Sequence, residues 1–122
     1  MFLEKPIALE LAEADELLDI ADRMGLYVVA APADMLAADW RRARDLVARG
    51  AIGKVAFARV QSSHAGAAGL SWPVDPAPFY QAGVGALLDL AVYGLTQATG
   101  VLGPARRVSA MSGVTARQRR VR

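Results

Sequence analysis

The chain has 122 residues, of which 54% are hydrophobic and 21% are charged, and its net charge is +2 at pH 7. This balance excludes a disordered chain, and the length allows one domain-sized core. No apolar run reaches the roughly 20 residues of a membrane helix, and the absence of cysteine excludes disulfides and thiolate metal sites. Because no signal-peptide pattern is visible, we predict a cytoplasmic protein. With no cysteine and His64 as the single histidine, we expect no metal site.

The first 31 residues predict a strand, a helix and a second strand. Met1 to Leu3 is a short apolar strand followed by Glu4, Lys5 and Pro6, and a helix is expected from Leu9 to Met24. An apolar stripe marks this helix: Leu11, Ala14, Leu17, Leu18, Ala21 and Met24. Gly25 ends the helix, and residues 26–31 form the second strand. Such a unit is a parallel crossover, and Lys5 then lies at the strand end where ligands bind in α/β sheets.

A second helix is predicted from Asp34, as its N-cap, to Arg49, with Trp40 in the core and Gly50 as its end. Alternating residues predict a strand over 54–62, and a further strand is expected over 106–112.

A long loop over residues 63–81 contains three prolines and several aromatic residues, and loops of this length are often functional. His64 could reach a substrate, although a surface or capping role is the more common one for a single histidine. Trp72 could stack on a sugar face or simply anchor the loop.

One carboxylate interrupts the most apolar helix of the chain. Asp89 lies in the run from Ala86 to Leu95, which has no other charge, so it needs a partner or water. Tyr93 follows four residues later and shares a helical face with Asp89. Asp89 could also be an ordinary carboxylate near a helix amino end.

The carboxyl end is basic, with six arginines and no acid from Arg106 onward. Such a tail could bind nucleic acid without sequence specificity, and steep salt dependence would reveal it. Aromatic residues for base stacking are absent from the tail, so we expect a solvated chain end and no nucleic-acid partner.

Three motifs together resemble the Gfo/Idh/MocA family of NAD(P)-dependent oxidoreductases. They are Glu4-Lys5-Pro6, the turn at residues 50–53 after an arginine-rich helix, and the segment from Gly83 to Asp89. The similarity extends from Phe2 to about Ser112. It implies an α/β fold: residues 1–32 as the last strand-helix-strand of a Rossmann domain, and residues 33–122 as the first part of a substrate-binding and oligomerisation domain with a mainly antiparallel open sheet.

The resemblance also implies a reaction, in which hydride passes between a nicotinamide and a hydroxyl-bearing carbon of a sugar, cyclitol or related compound. The family lysine matching Lys5 stabilises the reacting oxygen, and the carboxylate matching Asp89 holds the substrate. Glu4, Lys5 and Pro6 would face the cofactor; His64, Trp72 and Asp89 would face the substrate. We expect NAD or NADP, a small-molecule substrate, a homo-oligomer in the full-length form and no membrane partner.

The chain departs from the family pattern in two ways. Many members carry a histidine base where this chain has Tyr93, which could relay the proton with help from Lys5 or only bind and pack. No Gly-x-Gly-x-x-Gly motif with a following acidic residue is present, so the chain alone should bind dinucleotide poorly. We expect either a fragment of a longer enzyme or a remnant that serves as a non-catalytic ligand-binding or dimerisation module.

A solvated ion pair between Lys5 and Glu4 is the structural alternative to a catalytic role for the lysine.

Overall fold

A parallel pair of short strands joined by a helix begins the chain. The computed structural model describes residues 1–63, 66–69, 73, 75–81, 83–114 and 116–118. Strand β1 (Phe2–Leu3) pairs with β2 (Val29–Ala30), with Phe2 opposite Val29 and Leu3 opposite Ala30. Helix α1 (Leu11–Arg23) connects the two strands. The predicted strand-helix-strand unit is therefore confirmed.

Helix α1 begins and ends close to the predicted positions. The backbone N–H of Glu10 donates to Oε2 of Glu13 at 3.2 Å, so the Glu13 carboxylate satisfies one backbone donor at the amino end of the helix. Gly25 follows the helix with a φ of 62°, a conformation that favours glycine. The apolar stripe is only partly covered, since Ala21 is buried whereas Leu11 is 77% exposed. Leu17, Ile20, Leu26 and Val28 instead line an open apolar cavity of about 330 Å³ between α1 and the start of β2.

The second predicted helix is divided into two elements. A 3₁₀ turn spans Asp34–Leu36, and helix α2 spans Ala38–Ala48. Asp34 is therefore not the N-cap of α2, and its Oδ2 atom is buried without a hydrogen-bond partner among the described residues. Gly50, at a φ of 71°, ends the helix as predicted. Trp40 is half-buried and shares a groove with Val60 and Val101.

The carboxyl-terminal part is built around a long helical segment. Two 3₁₀ turns, Ala67–Gly69 and Ala77–Tyr80, precede it, and the Tyr80 hydroxyl accepts the backbone N–H of Ala68 at 2.8 Å. The segment then contains a π-helical turn (Leu87–Ala91), which leads directly into α3 (Val92–Leu102). Helix α3 packs on α2 and on the 3₁₀ turn at Asp34–Leu36.

Two predicted strands are not present. Residues 54–62 and 106–112 are described, and neither segment is in a strand. A strand needs a hydrogen-bonded neighbour, and no such pairing forms for either segment within the described residues. Phe57 and Val108 are 82% and 84% exposed. A mainly antiparallel sheet over residues 33–122 and a Rossmann-type origin of residues 1–32 thus stay predictions.

Large apolar side chains are mostly uncovered. Among the described residues, the buried hydrophobic side chains are three alanines, Ala21, Ala67 and Ala68. Across the described part of the chain, no helix has the length and apolar composition that crossing a membrane requires.

Helix α3 approaches the 54–62 segment closely at one glycine. A Cβ atom built on the buried Gly94 would lie 2.5 Å from Cγ1 of Val60, a side chain that is 49% exposed but restricted in its χ1 rotamers by β-branching. We expect Gly94→Ala to lower the free energy of unfolding by about 1–2 kcal/mol, because overpacking outweighs the helix propensity that alanine gains. Chemical denaturation measures this.

Gly113→Ala is the matched control for Gly94→Ala, because a Cβ at Gly113 would meet nothing within 4 Å. Equal stability of the Gly94→Ala variant and the wild-type protein would contradict the close contact with Val60.

Candidate active site

The carboxyl end of β1 and the π-helical turn place three predicted site residues together. Lys5 follows β1 closely, Asp89 is the third residue of the π-helical turn, and Tyr93 is the second residue of α3. Lys5 and Asp89 are 84 positions apart in the chain. Their association therefore depends on tertiary folding and not on local sequence.

Lys5 makes two hydrogen bonds to one residue. Its Nζ donates to the carboxylate Oδ1 of Asp89 at 2.5 Å and to the backbone carbonyl of Asp89 at 2.7 Å. The side chains of Lys5 and Asp89 are 15% and 21% exposed. Since water has limited access, this ion pair holds both groups more firmly than a surface pair would.

Tyr93 lies against the same ammonium group. Nζ of Lys5 is 5.1 Å from the centroid of the Tyr93 ring, within the range of a cation–π interaction. The aromatic ring thus forms a second wall beside the lysine. One positive group is held between a carboxylate and an aromatic face.

These contacts perturb the lysine. Burial by itself would lower the pKa of Lys5. The hydrogen bond to Asp89 and the negative charge of Asp89 raise it, and Tyr93 adds smaller effects in the same direction. The pKa of Lys5 therefore lies above its ordinary value of 10.5. Lys5 is therefore a cation at neutral pH. It can donate hydrogen bonds and stabilise negative charge, and it is not a base.

The predicted alternative for Lys5 is not what the structure shows. Glu4 is exposed, and its carboxylate accepts the backbone N–H of Lys5 at 3.3 Å, whereas the ammonium pairs with Asp89. Asp89 is likewise more than a carboxylate near a helix end, because it has a specific cationic partner. Pro6 follows Lys5 through a cis peptide bond. His64 and Trp72 lie outside the described residues.

Two participants were not predicted from the sequence. The backbone carbonyl of Asp89 is one of them, and Ser62 is the other, since its hydroxyl donates to the carbonyl of Leu90 at 3.4 Å. Ser62 lies at the end of the segment predicted as a strand, which is the one sequence signal for it. Among the described residues, no group of three or more histidine, aspartate or glutamate side chains could hold a metal ion.

A comparison with protein families shows to which family the chain belongs. The family model described as the GFO/IDH/MocA C-terminal domain matches residues 40–122. The chain belongs to the Gfo/Idh/MocA family. The resemblance predicted from the three motifs is thus confirmed, and the match includes Asp89 and Tyr93. No curated protein and no solved structure matches the chain. Gfo/Idh/MocA membership supports an oxidoreductase-type protein, and the family is generally NAD(P)-dependent.

The ion pair links the stability of the fold to pH. Because the pKa of Lys5 is higher in the folded state than its ordinary value of 10.5, its contribution is fully present below that value and is lost as the pH rises through the folded-state pKa. We expect the stability advantage of the wild-type protein over Lys5→Met to be constant near neutral pH and to shrink above about pH 10.5. Urea denaturation at a series of pH values measures this.

Lys54→Met serves as the control for Lys5→Met, because Lys54 is the exposed lysine of the chain. An advantage of the wild-type protein that grew with rising pH would contradict the assigned direction.

Proposed function

We propose that this chain provides the part of the active site of an NAD(P)-dependent dehydrogenase that contains the catalytic lysine. The proposed reaction transfers hydride between a nicotinamide and a hydroxyl-bearing carbon of a sugar, cyclitol or related compound. The observation that supports it is the half-buried Lys5 ammonium, held by Asp89 beside Tyr93 at a strand end. A non-catalytic module of the same fold is the alternative outcome of the tests below.

Lys5 is suited to act on the reacting oxygen. An ammonium has three N–H donors, and the two acceptors on Asp89 use two of them. The third can donate to the substrate oxygen and stabilise the negative charge that develops there as the hydroxyl proton passes to solvent, directly or through Tyr93; hydride then moves from the carbon to the nicotinamide and leaves a carbonyl. Asp89 keeps the lysine charged and oriented. Its second carboxylate oxygen can accept a hydrogen bond from a neighbouring substrate hydroxyl.

The chain fits one end of the dinucleotide. The nicotinamide supplies the hydride acceptor when it is bound, and the residues that would hold it are Glu4, Lys5 and Pro6 at the end of β1. The glycine-rich pyrophosphate motif is absent from the sequence. The proposed function therefore assigns to this chain the reactive end of the cofactor site and the substrate site, with the remaining cofactor contacts made elsewhere in a full-length protein.

The proposed partners follow from the same assignment. The substrate is a small polyhydroxylated molecule, and we propose a homo-oligomer in the full-length form, with neither nucleic acid nor membrane as a partner. Residues 54–60 and 106–114 carry exposed apolar side chains, including Phe57, Val108 and Met111, which would be covered in such an assembly.

Turnover tests the proposal directly. The full-length protein is incubated with NAD⁺ or NADP⁺ and a panel of sugars and cyclitols, and formation of the reduced nicotinamide is followed by its absorbance. We expect turnover with at least one polyol. Absence of turnover with every polyol, together with tight binding of the same compounds in calorimetry, would favour the non-catalytic module.

Tyr93→Phe separates the two roles of the tyrosine. The ring, and with it the cation–π contact to Lys5, is retained, whereas the hydroxyl is removed. We expect kcat to fall by about tenfold or less, because the contact that holds the lysine survives. Steady-state kinetics across a pH series measures this. A loss of about 10²-fold to 10⁴-fold, with the disappearance of one limb of the pH profile, would instead assign proton relay to Tyr93.

A further inference from the structure

The carbonyl groups of the π-helical turn accept hydrogen bonds from two side chains that come from other parts of the fold. The Asp89 carbonyl accepts from Nζ of Lys5 at 2.7 Å, and the next carbonyl, that of Leu90, accepts from the Ser62 hydroxyl at 3.4 Å. Lys5 comes from the end of β1 and Ser62 from the end of the 54–62 segment. Both are therefore attached to the same turn.

In a regular α-helix these carbonyls accept mainly from the backbone. In an α-helix each carbonyl accepts the N–H four residues later, so the Asp89 carbonyl would be occupied by Tyr93. A π-helical turn contains one extra residue and changes the hydrogen-bond step to five, which disturbs the regular pairing around it. A carbonyl oxygen at such a turn can then accept a side-chain donor on one of its two lone pairs, as the Leu95 carbonyl of α3 also does from the Thr99 hydroxyl at 2.7 Å.

We propose that the extra residue of the π-helical turn Leu87–Ala91 is a positioning device, which makes the Asp89 backbone carbonyl a second acceptor for Lys5. The lysine is then fixed at two points of a single residue, by the carboxylate and by the carbonyl. A single contact would leave Nζ free to rotate about the carboxylate, whereas two contacts fix the direction of the remaining N–H. The role of this arrangement in catalysis rests on the proposed function, whereas the two contacts of Lys5 with Asp89 do not depend on it.

A one-residue deletion tests the device. Leu87 and Leu88 are identical neighbours, so deletion of either one gives the same sequence and shortens the turn by the one extra residue. The length-preserving control is Leu87→Ala, because the Leu87 side chain is 69% exposed. Both variants are made in the full-length protein.

The measurement is the rate of lysine acetylation by acetic anhydride, followed for each peptide by mass spectrometry. This chain has two lysines, Lys5 and the exposed Lys54, which is the internal reference. In the wild-type protein we expect Lys5 to react at least about tenfold more slowly than Lys54, because charge-assisted hydrogen bonds keep its ammonium protonated and bound, and only the free amine reacts. The deletion should reduce this difference, because one of the two contacts that hold Lys5 is lost, while circular dichroism stays close to wild type and the melting temperature falls only slightly. Leu87→Ala should keep the difference.

Two outcomes would overturn the proposal. One is a folded deletion variant in which Lys5 stays protected; the other is a Leu87→Ala variant that exposes Lys5 as much as the deletion does. If the deletion variant does not fold, the wild-type protein decides the question. Labelled with isotopes in lysine and aspartate, it should show NMR coupling across the hydrogen bond from Nζ of Lys5 to the backbone carbonyl carbon of Asp89, and absence of that coupling contradicts the proposal.

The acetylation rates do not depend on turnover. A protein without hydride transfer but with the expected acetylation pattern would contradict the proposed function and leave the positioning device intact. An active enzyme whose deletion variant keeps Lys5 protected would do the reverse.

Discussion

Lys5→Ala should abolish most of the turnover of the full-length protein, with kcat reduced by about 10²-fold to 10³-fold, the loss typical of removing one donor to a developing oxyanion. The loss is expected in kcat more than in KM, because the proposed contact strengthens as negative charge forms on the substrate oxygen. Steady-state kinetics with the best polyol of the panel measures it. Among the described residues of this site, the ammonium is the one group that can both donate to that oxygen and oppose its charge.

Lys54→Ala is the matched control for Lys5→Ala, since it removes the other lysine of the chain from an exposed position. An unchanged kcat in the Lys5→Ala variant would contradict the proposed catalytic role. The absence of turnover in both the wild-type protein and the variant would instead indicate the non-catalytic module.

Asp89→Ala should produce the second largest effect, on both stability and activity. Removing the carboxylate leaves the half-buried Lys5 ammonium with a carbonyl acceptor and the Tyr93 ring as its partners among the described residues. We expect a loss of about 1–2 kcal/mol in unfolding free energy, below the value for a fully buried pair because both side chains keep some access to water. A fall of about 10-fold to 100-fold in kcat/KM should accompany it, since the lysine loses its orientation.

The double variant Lys5→Met with Asp89→Ala is the control for the Asp89 prediction. If the two residues act on each other, the double variant should be about as stable as the less stable single variant. Additive losses in the double-mutant cycle would show that the 2.5 Å contact contributes little to folding.

Several features could be predicted because local patterns determine them. The helical period and the glycines that follow predict α1 and α2 to within a few residues. The charges at the exit of the first strand indicate Lys5, and the single charge within an apolar helix indicates Asp89. Tyr93 was identified by its spacing from Asp89. Each of these signals depends on residues close to one another in the sequence.

Other features depend on partners that a local pattern does not specify. Residues 54–62 alternate as a strand should, but no neighbouring strand is present among the described residues to pair with them. The sequence does not predict the π-helical turn. A helical period is read from the spacing of polar and apolar residues, and this run is almost entirely apolar, so one extra residue leaves no visible change. The apolar stripe of α1 has the pattern of a helix that faces a core, yet Leu11 is largely exposed because no described residue covers it.

The separation of 84 positions between Lys5 and Asp89 also has a consequence for the order of folding. Bringing together two groups so distant along the chain carries a loop-closure entropy cost, so long-range contacts of this kind tend to form after local helices. The site is therefore expected to be among the last parts of the molecule to assemble during refolding. Protection of Lys5 would then report completion of folding, whereas circular dichroism would report the earlier appearance of α1, α2 and α3.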